Sequence, residues 1–458
     1  MIPQSLDRLA AVTGGVLDGV TDPGAMITGP LSFDSRDVAS GGLFCCLPGR
    51  SSDGHDHAAQ AVAVGATAAL ATRPVGVPAL IVPDVLTAMA QIATAISAEY
   101  TGTVIAITGS AGKTTTKDIL TAILTLDGPT VATQKSFNNE IGFPVTVSRV
   151  EPDTTYLVLE MGARGKGHIA ALCTIAHPTI STVLGIGSAH IGEFGSTQAI
   201  ADAKAEIVQA LTPDGTAVLN ADDPLVAAMA DRTRARVITF GTGESADVRA
   251  SHIAVDHGRP RFTLHYRGQS GTVQLRVHGR HNVTNALAAA TCALAAGVRF
   301  DAVLKGLAVA EITSGNRMQI HDRSDGVTII DDTFNASPEA VLAALDALDD
   351  IAGRQRRQIA VLGEMAELGN TADHWHATVA DKLAASRIQH AILVGGPLMT
   401  AVHDTVTAHG MTAQHTEPHP DLANQINQHL QPGDVVLIKG ANILGLGATA
   451  DQLRSATT

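Results

Sequence analysis

The sequence predicts an α/β protein of three domains. Its 458 residues are long for one hydrophobic core, and at roughly 150 residues per domain they suggest about three domains. Short apolar strands alternate with helical patterns in the middle and last parts of the chain, which is typical of βαβ units and mostly parallel sheets. A glycine-containing loop stands between one such strand and a helix. We place the domains at residues 1–100, 101–313 and 314–458.

Composition excludes several classes of protein. Hydrophobic residues make up 45% and charged residues 16% of the chain, as in ordinary globular proteins. A net charge of -13 argues against general binding to nucleic acid or to a membrane surface, because both require a basic surface. The apolar stretch from Ala286 to Val298 is short for a membrane span, and we expect a packed helix there, with no membrane insertion.

Cysteine usage and the N-terminus bear on the compartment. None of the four cysteines forms a C-x-x-C pair, and Cys45 and Cys46 are adjacent in an apolar run. We therefore expect buried, reduced thiols and a cytoplasmic setting. The first residues contain no basic segment followed by an apolar one, so we expect no export signal.

In residues 1–100 strand-like runs are predicted at Leu43–Leu47 and Ala79–Val82, with a helical piece at His57–Val64. In the middle part, strands are predicted at Thr103–Thr108, Tyr156–Glu160, Thr179–Gly185 and Thr216–Asn220. The alternating run Thr272–Gly279 predicts a half-exposed strand.

The third part begins near Ser314. Its strands are predicted at Val327–Asp331, Gln358–Leu362, His390–Val394 and Val435–Lys439. A helix is predicted to start after Asn335, because Ser337 suits the N-cap, Pro338 the first turn, and the Glu339 carboxylate the positive end of the helix.

The glycine-containing loop predicts a phosphate-binding site. It comprises Gly109, Ser110, Ala111, Gly112, Lys113, Thr114 and Thr115, between the strand Thr103–Thr108 and a helix predicted over Thr115–Leu126. Its glycines let backbone N–H groups surround a phosphate at a helix N-terminus. Lys113 would contact the β- and γ-phosphates of ATP, and the Thr114 hydroxyl would bind magnesium. The strict pattern has Gly where this chain has Ile107, so the loop is a shorter variant; the alternative interpretation is an ordinary tight turn.

Two further side chains are candidates for the same site. Glu160 ends an apolar strand, where the crevice of a parallel sheet binds ligands, so it is either a magnesium ligand or a solvated strand-end acid. Lys204 lies on the apolar stripe formed by Ile200, Ile207 and Val208. An inward lysine needs a partner or a changed charge state, whereas the alternative is a lysine that extends to solvent at the stripe edge.

A series of motifs then resembles one known family. In chain order the motifs are Thr108–Thr116, Ser136–Gly142, Leu159–Ala163, Ala189–Ser196, Gly279–Ala286, Gly315–Met318, Asp331–Pro338 and Val361–Gly369. Together they resemble the Mur ligases, over nearly the whole chain from about Asp34 to the last predicted strand. The last two motifs favour the branch of that family that adds a D-alanyl-D-alanine dipeptide to the cytoplasmic peptidoglycan precursor.

The resemblance implies a role for each domain and for particular residues. It implies an N-terminal UDP-sugar-binding domain, a central P-loop ATPase-like domain and a C-terminal Rossmann-like domain that takes the amine substrate. Residues that match the substrate-binding positions are Ser35, Arg36, His55, Asn138, Asn139 and Asn335. Glu160, His190 and Lys204 match the metal side, with Lys204 carbamylated and bridging to a second magnesium ion. Asn282 matches the adenine side, and Arg317 and Asp332 match residues that reach ATP when the domains close.

The chemistry that the resemblance implies is ATP-dependent amide formation. The terminal carboxylate of UDP-N-acetylmuramoyl-tripeptide would be activated as an acyl phosphate, and the amine of D-alanyl-D-alanine would then displace phosphate. Lys113, Glu160, His190, Lys204 and Arg317 are the expected catalytic residues.

One segment departs from the family pattern. The family commonly has Ser-Arg where this chain has Ala441 and Asn442, and an acidic residue where it has Gly447. The segment is expected on the amine side. A Mur-type ligase with another amine or carboxylate partner, for instance in a specialised-metabolite pathway, is therefore one alternative. A separate alternative is a non-catalytic homologue that binds a nucleotide-sugar and regulates or scaffolds; the intact set Lys113, Glu160, His190 and Lys204 argues against it.

Overall fold

Three larger sheets follow one another along the chain in a computed structural model that describes residues 1–49 and 52–455. The predicted α/β fold class is confirmed. In the described part of the chain, no helix is long and apolar enough to cross a membrane. The stretch from Ala286 to Val298 instead belongs mainly to a helix packed in the middle core.

The N-terminal part forms a small sheet of order β2-β7-β6-β5-β4, parallel except for β2. Its elements are β1 (Gln4–Ser5), α1 (Leu6–Thr13), β2 (Val16–Asp18), β3 (Met26–Ile27), β4 (Leu31–Ser32), β5 (Leu43–Cys45), α2 (Ala58–Val64), β6 (Ala68–Ala71), β7 (Ala79–Ile81) and α3 (Val85–Glu99).

The middle part forms a sheet of order β16-β15-β14-β13-β12-β11-β8-β10-β9, parallel from β9 to β14 and antiparallel beyond. Its strands are β8 (Thr103–Thr108), β9 (Thr130–Ala132), β10 (Tyr156–Glu160), β11 (Ile180–Val183), β12 (Thr216–Asn220), β13 (Arg236–Gly241), β14 (Val248–Asp256), β15 (Arg259–Tyr266) and β16 (Gln269–Gln274). Its helices are α4 (Lys113–Thr125), α5 (Gly142–Val147), α6 (His168–Ala176), α7 (Ile191–Phe194), α8 (Thr197–Gln209), α9 (Pro224–Ala227), α10 (Asn282–Ala295) and α11 (Phe300–Val309).

The C-terminal part forms a sheet of order β17-β18-β22-β19-β20-β21, parallel except for β17. Its strands are β17 (Gln319–Asp322), β18 (Thr328–Asp331), β19 (Gln358–Gly363), β20 (His390–Val394), β21 (Thr412–Thr416) and β22 (Val435–Lys439). Its helices are α12 (Pro338–Ala352), α13 (Ala372–Ala384), α14 (Pro397–Ala408), α15 (Leu422–Asn427) and α16 (Leu446–Ser455).

Most predicted strands are present, and some predicted limits differ from the structure. The helix after the loop begins at Lys113, two residues before the predicted Thr115. The strand predicted over Thr272–Gly279 is β16, which ends at Gln274 because its hairpin turn with β15 fixes the pairing earlier. Ser337 stands at the N-cap of α12 but makes no capping hydrogen bond with its side chain.

The cores show which parts of the chain pack as one body. Helix α3 packs against α5 and α6, and the buried residues of the N-terminal sheet share one cluster with those on one face of the middle sheet. The C-terminal sheet has its own buried clusters on its two faces. The first two sheets are therefore joined by a continuous core, whereas the third is not. The domain limits at 100 and 313 stay predictions.

Candidate active site

The loop after β8 has the shape of a phosphate cradle. Strand β8 lies between β10 and β11, and the chain departs from it in opposite directions, which places the loop at the crevice of the sheet. Gly112 has φ +81°, and a Cβ there would lie 2.2 Å from Asn285 Oδ1. Only glycine therefore fits. Lys113 Nζ donates to the Gly109 carbonyl at 2.8 Å, and burial lowers its pKa while Glu160 opposes that shift.

Thr114 and Glu160 meet beside this loop. The Thr114 hydroxyl donates to Glu160 Oε2 at 2.7 Å, and Asn138 Nδ2 donates to Glu160 Oε1 at 2.7 Å. Glu160 is 1% exposed, so the strand-end carboxylate is not a solvated acid. A hydroxyl and a carboxylate oxygen held together are the ligand types that magnesium prefers, and the residues fit that ion.

One cavity of about 1360 Å³ brings most of the predicted residues together. Its walls include Ser110, Ala111, Gly112, Lys113, Thr114, Thr115, Asn138, Asn139, Glu160, His190, Lys204, Asn282, Arg317, Asp332 and Asn335. These residues belong to both the middle and the C-terminal parts of the chain. The cavity is therefore an interdomain cleft.

Lys204 points into this cavity from α8. The residue is 4% exposed, so its side chain does not extend to solvent. Burial, and next the positive charge of Lys113, lower the pKa of Lys204 to about 7. Both effects favour the neutral amine, which is the nucleophilic form.

His190 is held between the two sheets. It precedes α7 in the left-handed conformation, φ +62°, and its Nδ1 contacts the Glu367 carboxylate of the C-terminal part. Burial lowers the pKa of His190, although the Glu367 charge opposes that shift. The described residues contain no group of three or more His, Cys, Asp or Glu side chains able to hold a metal. The candidate donors are instead a mixed set.

Asn282 begins α10 on the other wall of the cavity. Its Nδ2 donates to the His278 carbonyl at 2.6 Å, and its Oδ1 accepts from Asn285 Nδ2 at 2.7 Å. Asn285 Oδ1 accepts in turn from Thr116 Oγ1 at 3.3 Å. These contacts fix the start of α10 to the helix that follows the phosphate cradle.

The C-terminal sheet contributes cations and carboxylates. Arg317 Nη2 donates to Ser136 Oγ at 2.9 Å, and its guanidinium lies 3.8 Å from the centre of the Phe334 ring. Asp332 pairs with Lys439, with Nζ and Oδ2 2.6 Å apart. Arg317 therefore already contacts the middle domain in this structure.

Two carboxylates of the C-terminal part were missed by sequence reasoning. Glu339 Oε1 accepts from the Ser188 N–H at 2.7 Å, and Glu367 contacts His190. The sequence places Glu339 only at the start of α12. No local pattern in the sequence indicates that the Glu339 or Glu367 side chain reaches the middle part of the chain.

Three predicted substrate residues lie outside the cleft walls. Ser35 Oγ donates to Gln60 Oε1 at 3.0 Å, and Arg36 pairs with Asp34 at 2.8 Å. His55 is buried, with Nδ1 2.6 Å from Asp53 Oδ1. All three belong to the N-terminal part and are absent from the cavity lining.

The segment that departs from the family pattern lies mostly outside the cavity walls. Ala441 is buried and Asn442 exposed, and neither lines the cavity, whereas Lys439 does. The expectation that Ala441 and Asn442 face the amine stays a prediction.

Comparison with known proteins matches three family models in order along the chain. They are the Mur ligase family catalytic domain over 30–107, the Mur ligase middle domain over 107–293, and the Mur ligase glutamate ligase domain over 316–442.

Full-length relatives agree with these matches. The UDP-N-acetylmuramoyl-tripeptide–D-alanyl-D-alanine ligase of Mycobacterium tuberculosis is 44% identical, over 99% of this chain and 98% of that protein. The Bacillus subtilis protein of the same name is 32% identical over 96% of each.

Solved structures resemble the whole fold. Crystal structure I of MurF from Acinetobacter baumannii has a TM-score of 0.86 and 31% identity, covering 99% of both chains. MurF from Thermotoga maritima, solved in complex with ADP, has a TM-score of 0.79 and 27% identity over 93% of this chain and 97% of that one. Most of its motifs lie in one interdomain cleft, and relatives match it over nearly their whole length. This chain belongs to the Mur ligase family.

Proposed function

We propose that this protein joins D-alanyl-D-alanine to UDP-N-acetylmuramoyl-tripeptide at the expense of ATP, in the cytoplasmic synthesis of the peptidoglycan precursor. The observation that carries the proposal is the cleft itself, in which a phosphate cradle, the Thr114–Glu160 pair and the cations of the C-terminal domain converge. Identity of 44% across the whole length of relatives with that named activity supports the choice of substrates.

The reaction follows from the charges in the cleft. A substrate carboxylate oxygen attacks the γ-phosphorus of ATP in line, the bond to the β-phosphate oxygen breaks, and ADP leaves. The amine of the dipeptide then attacks the acyl carbon, forms the amide and releases phosphate and a proton. Lys113 and Arg317 offset the negative charge on the transferred group. The C-terminal domain covers the cleft and limits hydrolysis of the activated carboxyl.

Magnesium is proposed at two positions. Thr114 and Glu160 supply oxygens for one ion beside the phosphate cradle, and His190 and Lys204 extend the donor set toward a second. Bound magnesium supplies positive charge to the phosphate oxygens and orients them. The mutual contact of Thr114 and Glu160 supports the first position.

Lys204 is proposed to be carbamylated. Its neutral amine attacks carbon dioxide, an N–C bond forms and one proton is released, which converts a buried cation into a carboxylate-like ligand. The lowered pKa of about 7 and the buried position on α8 support this modification, because an uncompensated ammonium is costly there.

The uridine end of the substrate is assigned to the N-terminal domain. Ser35, Arg36 and His55 are proposed contacts, and Asn138, Asn139 and Asn335 are proposed contacts to the peptide in the cleft. Domains at 1–100, 101–313 and 314–458 are proposed accordingly. A different amine partner is not favoured, because relatives named for D-alanyl-D-alanine addition match this chain over nearly its whole length.

The test uses purified protein, UDP-N-acetylmuramoyl-tripeptide and MgATP with a panel of amines. D-alanyl-D-alanine should give phosphate release and a product whose mass equals substrate plus dipeptide minus water. D-alanine and L-alanyl-L-alanine serve as matched amines. Turnover with another amine and none with D-alanyl-D-alanine would overturn the proposal.

A further inference from the structure

Lys117 and Asp118 form an ion pair on α4 outside the cleft lining. Their side chains are buried, with 3% and 4% exposure for the two residues, and Lys117 Nζ lies 2.6 Å from Asp118 Oδ1. Helix α4 starts at the phosphate cradle, and the pair follows Thr116 directly on that helix. Nothing in the reaction described above uses this pair.

The pair binds the linker that leads to the C-terminal domain. Asp118 Oδ2 accepts from the Ser314 N–H at 3.0 Å, and Asp118 Oδ1 accepts from Thr313 Oγ1 at 3.0 Å and from Ser314 Oγ at 3.2 Å. Lys117 Nζ donates to Ser314 Oγ at 3.0 Å. The carboxylate thus accepts from both linker residues and the ammonium donates to Ser314, so the buried charges are compensated.

The burial of the chain and its backbone conformation change immediately after Ser314. Gly315 is exposed, and a Cβ there would meet nothing within 4 Å. Asn316 and Met318 have φ values of +60° and +49°, a backbone conformation that residues other than glycine rarely adopt. Ser314 is 8% exposed, so a buried, hydrogen-bonded serine is followed directly by an exposed glycine. The C-terminal part therefore begins at an exposed glycine that follows directly on the anchored Ser314.

Arg317 lies three residues beyond the fixed point. Its guanidinium enters the cleft and contacts Ser136 and Phe334. The C-terminal sheet has its own core clusters. Its position relative to α4 therefore depends on the linker, on polar contacts across the cleft and on the packing of Ile191 against that core. A displacement of Ser314 would move Arg317 relative to the phosphate cradle.

We propose that Lys117 and Asp118 are positioning residues that anchor the linker at Ser314 to the P-loop helix and thereby place Arg317 over the nucleotide. This inference rests on the proposed function only for the contact between Arg317 and ATP. An ion pair suits the task because its hydrogen bonds fix one register of the linker, whereas an apolar contact would allow several.

The test is a double-mutant cycle on nucleotide binding. The affinity of the full-length protein for a non-hydrolysable ATP analogue with magnesium is measured by calorimetry for wild type, Ser314→Ala, Arg317→Ala and the combination. Each single variant should weaken binding about 3- to 10-fold. The combination should bind no more weakly than Arg317→Ala alone, because the anchor acts through Arg317. Losses that multiply would overturn the proposal.

A second variant removes the charges without leaving one unpaired. Lys117→Met/Asp118→Leu keeps an apolar filling, and it should fold yet bind the analogue as weakly as Ser314→Ala. Ser314→Thr retains the hydroxyl and should restore binding. Thr125→Ala is the matched control, since that α4 hydroxyl bonds only to the Thr121 carbonyl and its loss should change nothing. Wild-type affinity in the folded charge-free variant would overturn the anchor.

The two proposals fail separately. Analogue binding uses neither the carboxylate nor the amine substrate, so an absence of turnover with D-alanyl-D-alanine would remove the proposed function and leave the cycle valid. Multiplicative losses in a protein that does turn over that dipeptide would remove only the anchor.

Discussion

The Thr114 hydroxyl donates to Glu160 Oε2 across 2.7 Å, and this contact joins the phosphate cradle to the end of the neighbouring parallel strand. The two residues are far apart in sequence, and the pairing of β8 with β10 brings them together. Asn138 Nδ2 donates a hydrogen bond to the other Glu160 oxygen, so the carboxylate is oriented before any ion binds. Oriented ligands bind metal more tightly than mobile ones.

We expect Glu160→Gln to lower the apparent magnesium affinity at least about 10-fold, because the amide lacks the charge that the ion requires. Magnesium titration of ATP-dependent phosphate release checks this expectation, with melting temperature as a check of folding. Asp153→Asn, in an exposed turn of the same sheet, should titrate like wild type. An unchanged magnesium midpoint in Glu160→Gln would exclude Glu160 as a ligand.

Lys204→Ala should lose nearly all ligase activity, and short carboxylic acids should restore part of it by supplying the missing carboxylate. Lys204→Arg should stay inactive, because guanidinium remains charged and does not react with carbon dioxide. Activity of wild type should also fall when bicarbonate is depleted. Mass spectrometry of the intact protein at mildly alkaline pH measures the carbamate directly. Failure of both rescue and detection would refute the carbamylated state.

His278 makes stability depend on pH. Burial, and next the charge of Arg259, lower its pKa to about 4 from the usual value of 6.5. Between those values the unfolded chain binds more protons than the folded one, so this contribution to stability is present above pH 6.5 and lost as the pH falls toward 4.

Replacement of His278 by Gln should remove that component, which is roughly 1–2 kcal/mol after allowance for its partial exposure. Urea unfolding at pH 5 and 7.5 measures the difference between variant and wild type. His257→Asn is the control, because His257 is largely exposed in a turn. Equal pH dependence in wild type and His278→Gln would contradict the assignment.

Glu339 should hold the two domains together. Its Oε1 accepts from the Ser188 N–H at 2.7 Å, and its carboxyl group packs on Gly187. We expect Glu339→Ala to increase the radius of gyration of the protein without nucleotide, measured by small-angle X-ray scattering, because one cross-cleft contact is lost. Asp373→Asn, an exposed carboxylate at the start of α13, should leave the scattering curve unchanged. An identical curve for Glu339→Ala would show that closure does not depend on this contact.

Local patterns in the sequence were sufficient for the parallel strands, the phosphate cradle and the inward position of Lys204. A buried strand is a continuous apolar run, and a helix face repeats every three or four residues. The strands Tyr156–Glu160 and Val435–Lys439 were therefore predicted to the residue. The alternation at Thr272–Gly279 misled on the strand limits, because burial of Leu275 and Val277 continues beyond the hairpin ladder.

The sequence by itself determined which residues are candidates for binding phosphate and metal, since candidacy depends on residue type and on neighbours along the chain. Only the tertiary structure decided how the C-terminal domain reaches them. Glu339 contacts Ser188, Glu367 contacts His190, and Asp118 holds Ser314, and each pair joins segments far apart in sequence. Side-chain periodicity shows which face of an element is buried but not which distant element covers it. Packing of the three sheets supplies that information.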